Sequence, residues 1–338
     1  MSAHPSQPGA TVASAPCPPP WQRPLDGASA WRRDDIGASH WRVDVPDRCL
    51  RELDALVDLL RAHPIPTEML DPTDYPLDAA RALMHEVRTT LDEGVGFAVV
   101  DRLPVERWGE QASKQVYWLL SSLIERPVAQ SFDAKMLYDV RDTGKTIDTR
   151  VRGDLTRQEL SWHTDYGFNH PPPYIGLLVL AVAPTGGVSS VASMHTAHDV
   201  LRQRHPELLE RLYRPFHWNR QGEHPEGDPI THAYPIFSER DGEVRGRFIK
   251  WLLYRGYELV GEPFDALGRQ ALETMFAVMS EPEHHVSFVL EPGQLEYLRN
   301  DRVAHCRTEY EDDPRPDAPK RHLVRIFLRD AGRRSYMG

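Results

Sequence analysis

The feature that most constrains the fold of this chain is a change of period near residue 128. Upstream, apolar residues recur at helical spacing. In LRELDALVDLLRA (50–62), Leu50, Leu53, Leu56, Val57 and Leu60 share one face, and Pro64 and Pro66 end the helix. LDAARALMHEVRTTLD (77–92) predicts a second helix, stopped by Gly94, and residues 105–124 a third, ending before Pro127. A buried strand, GFAVVDRLP (96–104), lies among them. Downstream the period becomes two. YIGLLVLAVAP (174–184), VSSVASMH (188–195) and RHLVRIFLR (321–329) read as strands. Residues 231–251 read as a hairpin turning at Asp241-Gly242, and 285–300 as two strands around Pro292-Gly293. Helices are predicted over 197–213, interrupted at Pro206, and over 263–279. The pattern is that of an α+β protein with a β core and helices outside it.

Composition narrows the function. The 40% hydrophobic content over 338 residues supports a substantial core. A net charge of −10 argues against nucleic acid or an anionic membrane as partner. No apolar run reaches the roughly 18 residues of a transmembrane helix, and the N-terminus lacks the basic-then-apolar pattern of a signal peptide. Cys17, Cys49 and Cys306 form no CxxC pair, which fits a reducing compartment. A cytoplasmic location is the expectation. Residues 1–38, rich in Pro and Ala, are expected to form a flexible tail ahead of a single domain over 39–338. No sequence feature assigns an oligomeric state.

Two segments carry candidate chemistry, WHTDYGF (162–168) and NDRVAHCRTEYEDD (300–313). His163 and Asp165 are two residues apart, so an extended backbone projects both to one side. His305 need only be near in space. Two imidazoles and one carboxylate can occupy one face of an octahedral metal and leave three positions open, which suits non-haem Fe(II) oxygen chemistry. Taken alone, His-x-Asp also describes a polar pair at a strand end. Neither the HExxH spacing of a zinc protease helix nor a hydrolase base at fixed spacing is present. The other histidines, such as His198, His284, His285 and His322, lack paired spacing and read as core or surface residues. Cys306 reads as a small buried apolar residue.

In sequence order, WHTDYGF, LVLAVAPTGGVSSVAS (178–193), NDRVAHCRTEYEDD and RHLVRIFLR resemble the taurine-dioxygenase-like (TauD/TfdA) Fe(II)/2-oxoglutarate oxygenases. The similarity is to the clavaminate-synthase-like branch and runs from about Gly94 to Gly338. The resemblance implies a double-stranded β-helix, or jelly roll. It implies a dioxygenase that uses O2 to decarboxylate 2-oxoglutarate to succinate and CO2 while oxidising, most simply hydroxylating, a C–H bond. His163, Asp165 and His305 become the iron ligands. Desaturation, cyclisation or cleavage use the same ligands. Halogenation does not, because Asp165 keeps the carboxylate that halogenases lack. A non-catalytic metal- or ligand-binding homologue is the other class.

The resemblance also assigns cosubstrate contacts. Arg321, which opens the last strand, matches the arginine that binds the far carboxylate of 2-oxoglutarate, with Arg325 as its rival. Alternation puts Arg321, Leu323, Arg325 and Phe327 on one face. A second inward arginine is costly unpaired, so Arg325 is expected to meet an acidic group of a small-molecule, amino-acid-like substrate. Ser189 stands where the family has a threonine on the same cosubstrate carboxylate; an exposed edge serine is the alternative. Arg307 is expected either to orient a carboxylate near the metal or to pair with Glu309, Glu311 or Asp312. Asn300 reads as a turn residue. The loop 166–174 reads as a pocket lid or as aromatic core, and 137–156 as a loop covering the substrate.

Overall fold

The computed structural model describes residues 18–131, 133–144 and 153–335. Upstream of the change in period, helices Asp47–Ala62, Asp78–Asp92 and Glu110–Ile124 form as expected. Leu53, Val57, Leu83, Val87 and Trp118 of these helices share one core with Tyr297, Val324 and Ile326 of the sheet beneath. Each large apolar side chain buried there contributes about 1.5–3 kcal/mol. The third helix is not continuous from 105, because Gly109 at φ +80° separates Val105–Trp108 from it. Gly176 lets that helix settle on the sheet: a Cβ there would lie 2.6 Å from the Tyr117 hydroxyl.

Two sheets form the β core. The larger orders its strands Arg42–Asp44, Phe97–Asp101, Leu295–Arg299, Tyr174–Ala181, His322–Leu328 and Pro127–Val128, and Leu137–Val140 also pairs with His322–Leu328. The smaller orders His285–Phe288, Ser189–Ser193, Val303–Arg307 and Leu160–His163. The two strands flanking Pro292-Gly293 thus go to different sheets. The fold is α+β with a jelly-roll core: the sheets face each other, helices cover the outer face of the larger one, and the site lies between them.

Several expectations change in detail. Residues 18–38, expected in the tail, pack onto the core: Trp31 is buried and its indole N–H donates to the Val95 carbonyl at 2.8 Å. Trp21 and Leu25 join the same cluster. Pro and Ala richness masked these apolar anchors. Residues 1–17 lie outside the described residues. Leu137–Val140, read as loop, is a strand because its backbone pairs with the last strand. Residues 145–152 of the expected covering loop also lie outside the described residues. The hairpin narrows to Phe237–Arg240 and Glu243–Gly246, turning at Asp241 (φ +54°) and Gly242 (φ +82°). Thr231–Tyr234 pairs instead with Phe216–Asn219. Pro206 does divide 197–213, into Met194–Arg204 and Pro206–Leu212. No described helix is long and apolar enough to cross a membrane.

Candidate functional site

The smaller sheet brings the two histidines together. His305 and His163 are paired across neighbouring strands, and their rings are 4.2 Å apart, centroid to centroid. His163 ends its strand. The next residues turn inward: Thr164 N–H donates to the Phe248 carbonyl, and Tyr166 takes φ +60°. Asp165 is carried back under both rings. Its Oδ1 lies 3.4 Å from His163 Nε2 and 3.9 Å from His305 Nε2.

This grouping fits a metal. The three ligand atoms lie within 4.8 Å of one another, and an octahedral ion at about 2.1 Å from each would set neighbours about 3 Å apart. His163 Nδ1 lies 2.9 Å from the Ser161 carbonyl, which favours the Nδ1–H tautomer and turns the Nε2 lone pair to the site. His305 Nδ1 is buried with no hydrogen-bond partner among the described residues. Burial pushes His305 down to about 3, with the neighbouring His163 adding to it, so the ring stays neutral and able to ligate. Burial alone would raise Asp165, but Arg325, His163 and His305 outweigh it and hold the carboxyl well below its usual range. Among the described residues two further acid–histidine groups occur. One, Glu110–Asp139–His322, already holds the Lys114 ammonium, 2.7 Å from Glu110 and 2.9 Å from Asp139.

The triad lies between two cavities. The smaller, about 50 Å3, is lined by Ser189, Glu296, Arg307, Arg321 and Arg325 together with the triad. Arg321 lies over the Tyr310 ring at 4.9 Å, and its Nη1 has no hydrogen-bond partner among the described residues. Ser189 faces this cavity, whereas Ser190 bonds Ser287 at 2.7 Å. The larger cavity, about 390 Å3, is lined by Trp162, Tyr166, Phe168, Ile249, Trp251 and Phe327, with Glu159 and Gln221 as polar members. Arg325 reaches both cavities; Arg321 lines only the smaller. Arg325 Nη1 is 3.1 Å from Asp165 Oδ2, and its Nε donates to Gln130 Oε1 at 2.9 Å. Two arginines four residues apart thus meet in the smaller cavity, and only Arg325 also reaches the larger.

Other expectations resolve differently. The Arg307 guanidinium donates to the Thr156 and Gln158 carbonyls, tying down the segment beside the cavity. Tyr166 and Phe168 are buried in the core, as the aromatic-core reading expects, and they also line the larger cavity. Asn300 is more than a turn residue. Its Oδ1 accepts from the Asp165 N–H at 2.8 Å, and its Nδ2 donates to the Asp165 and Pro172 carbonyls at 2.9 and 3.0 Å. Its only sequence signal was its position five residues before His305. Glu296 and Gln130 were not anticipated; Glu296 is signalled only as a lone acid in the apolar run LEYLR.

Comparison with known proteins completes the picture. The model of the "Taurine catabolism dioxygenase TauD, TfdA family" matches residues 57–327. FR-33289 synthase of Streptomyces rubellomurinus is 28% identical over 313 residues, covering 91% of each chain. A uridine-5'-phosphate dioxygenase of an Amycolatopsis species is 31% identical over 160 residues, 47% of this chain and 56% of that one. Among solved structures, asparagine oxygenase with Fe(II), hydroxyasparagine and succinate superposes at TM-score 0.63 and 20% identity, over 85% of this chain and 93% of the other. The oxygenase OrfP with Fe and α-ketoglutaric acid gives 0.64 and 16%, over 86% and 94%. At these identities the structural matches establish the fold.

Proposed function

This chain belongs to the taurine catabolism dioxygenase TauD, TfdA family, and on that premise we propose which of its residues do the work and what kind of molecule they act on. It is an Fe(II)- and 2-oxoglutarate-dependent dioxygenase, and its partner is a small molecule. His163, Asp165 and His305 hold the iron. Arg321 and Ser189 bind the far carboxylate of 2-oxoglutarate in the smaller cavity. Arg325 anchors an anionic group of an acidic or amino-acid-like substrate in the larger one. Iron held there would supply, with 2-oxoglutarate and O2, an oxidant for an unactivated C–H bond, with succinate and CO2 released.

The chain's own residues bind, orient and exclude water. Asn300 fixes the backbone of Asp165. Trp162, Tyr166, Phe168 and Phe327 shape an apolar wall that keeps competing donors from the reacting position. Hydroxylation is the simplest outcome of such an oxidant, and the one the hydroxyasparagine bound in asparagine oxygenase parallels.

The carrying observation is the placement of Arg325 at the junction of the cavities, 3.1 Å from Asp165 Oδ2. An anion held there would set its carbon skeleton beside the triad. The test is succinate release across a panel of amino acids, sulfonates, phosphate esters and small carboxylates, with His163→Ala as control. Stimulation by anionic members, lost in the control, is expected; stimulation confined to uncharged compounds would overturn the substrate assignment.

A further inference from the structure

Glu296 is a buried acid in a cavity that must receive a dianion. It lies in the strand Leu295–Arg299 at 2% exposure. Its neighbours are Val99 on one side and Leu177 on the other, and Leu177 also faces Arg325. Glu296 and Arg325 therefore share a transverse row of the inner face, two strands and about 10 Å apart. Glu296 lines the smaller cavity opposite Ser189 and Arg307, in the same space as Arg321. The Arg321 guanidinium and the Asp165 carboxylate are the charges that act on its carboxyl. Burial pushes the group up to about 7; Arg321 opposes the rise and Asp165 reinforces it. The ligand that Arg321 faces carries a charge of −2, so an ionised Glu296 would add like-charge repulsion where affinity is needed.

We propose that Glu296 is a further cosubstrate-binding residue: its protonated carboxyl donates a hydrogen bond to the far carboxylate of 2-oxoglutarate, beside Arg321. Cosubstrate binding then takes up one proton from solvent whenever the free enzyme carries Glu296 ionised. The proposal rests on the reading of the smaller cavity as the 2-oxoglutarate seat. The groups facing that space are Arg321 and Arg325 from the last strand, and Ser189 from its own strand. His305, Cys306 and Arg307 face it from the distal-histidine strand, and His163 and Asp165 from the near one. Tyr310 lies behind Arg321. Saturating Fe(II) is kept constant, and Glu296 is isolated by comparing wild type with Glu296→Gln, which retains a donor and cannot ionise.

The experiment is anaerobic titration of the Fe(II)-loaded full chain with 2-oxoglutarate, read by its weak visible charge-transfer absorption between about pH 6 and 9. Wild-type affinity should fall with rising pH, approaching tenfold per unit at the upper end for one linked proton. Glu296→Gln should keep the low-pH affinity across the range. Glu296→Leu should bind about 5- to 10-fold more weakly at low pH, the loss of one hydrogen bond. Matching near-ultraviolet circular dichroism shows that both variants are folded. Wild type and Glu296→Gln sharing one pH dependence would overturn the proposal. So would uniform weakening in Glu296→Gln, which marks an ionised Glu296 that orients Arg321. Arg321→Met separates the premise: unchanged affinity there means the seat is misassigned, whereas a loss of about 100-fold alongside pH-independent Glu296 variants sinks Glu296 alone.

Discussion

Asn300 holds both backbone polar groups of Asp165, accepting from its N–H at 2.8 Å and donating to its carbonyl at 2.9 Å. A residue in the distal-histidine segment thus fixes the backbone that carries Asp165 in the near segment, so the two halves of the site are positioned together. Outer partners of this kind typically govern metal affinity by about 10- to 100-fold. Asn300→Ala should weaken Fe(II) binding by that order, measured by anaerobic metal titration. It should also lower stability by about 1–3 kcal/mol, because buried backbone groups lose their partner.

Arg321 and Arg325 should separate kinetically. Arg321→Met should raise the KM for 2-oxoglutarate about 100-fold and leave that of the prime substrate nearly unchanged. Arg325→Met should do the reverse, since breaking a buried charged contact costs about 2–5 kcal/mol. Steady-state succinate release with each reactant varied in turn distinguishes them. Identical effects of both variants on one reactant would contradict the division between the cavities.

Away from the site, Asp92 joins helix Asp78–Asp92 to the sheet through Arg299 at 2.6 Å and Tyr174 at 2.8 Å. Burial would raise its carboxyl, but the Tyr174 hydroxyl with Arg88 and Arg299 outweighs it, so the folded value is depressed. Its contribution is therefore complete above the unfolded value, about 3.9, and is lost as pH falls through the lower folded value. Asp92→Asn should cost about 1–3 kcal/mol at neutral pH. The gap from wild type should narrow below about pH 4, measured by denaturant unfolding at both pH values.

What the chain reveals of itself follows its periodicities. The helices Asp47–Ala62 and Asp78–Asp92 were legible because one apolar face must be buried. The last strand was legible because its alternation sends Arg321 and Arg325 inward together. The His163–Asp165 pair was legible from spacing, although the route differs: the strand ends at His163 and the chain turns through Tyr166 at φ +60°, so Asp165 arrives by a turn. Asn300, Gln130 and Glu296 were not legible. Asn300 and Gln130 act through partners 135 and 195 residues away, and a lone amide or acid carries no period. Trp31 was hidden for a related reason, since one aromatic anchors a segment whose composition is otherwise that of a tail.

The central claim is that His163, Asp165 and His305 form one iron site that receives 2-oxoglutarate beside Arg321. Its most direct test is the visible spectrum of the anaerobic protein with Fe(II) and 2-oxoglutarate. Wild type should develop the weak charge-transfer band of a 2-keto-acid chelate, and His163→Ala, Asp165→Ala and His305→Ala should not. A wild-type protein without the band, or a band that survives in folded triad variants, would contradict the account.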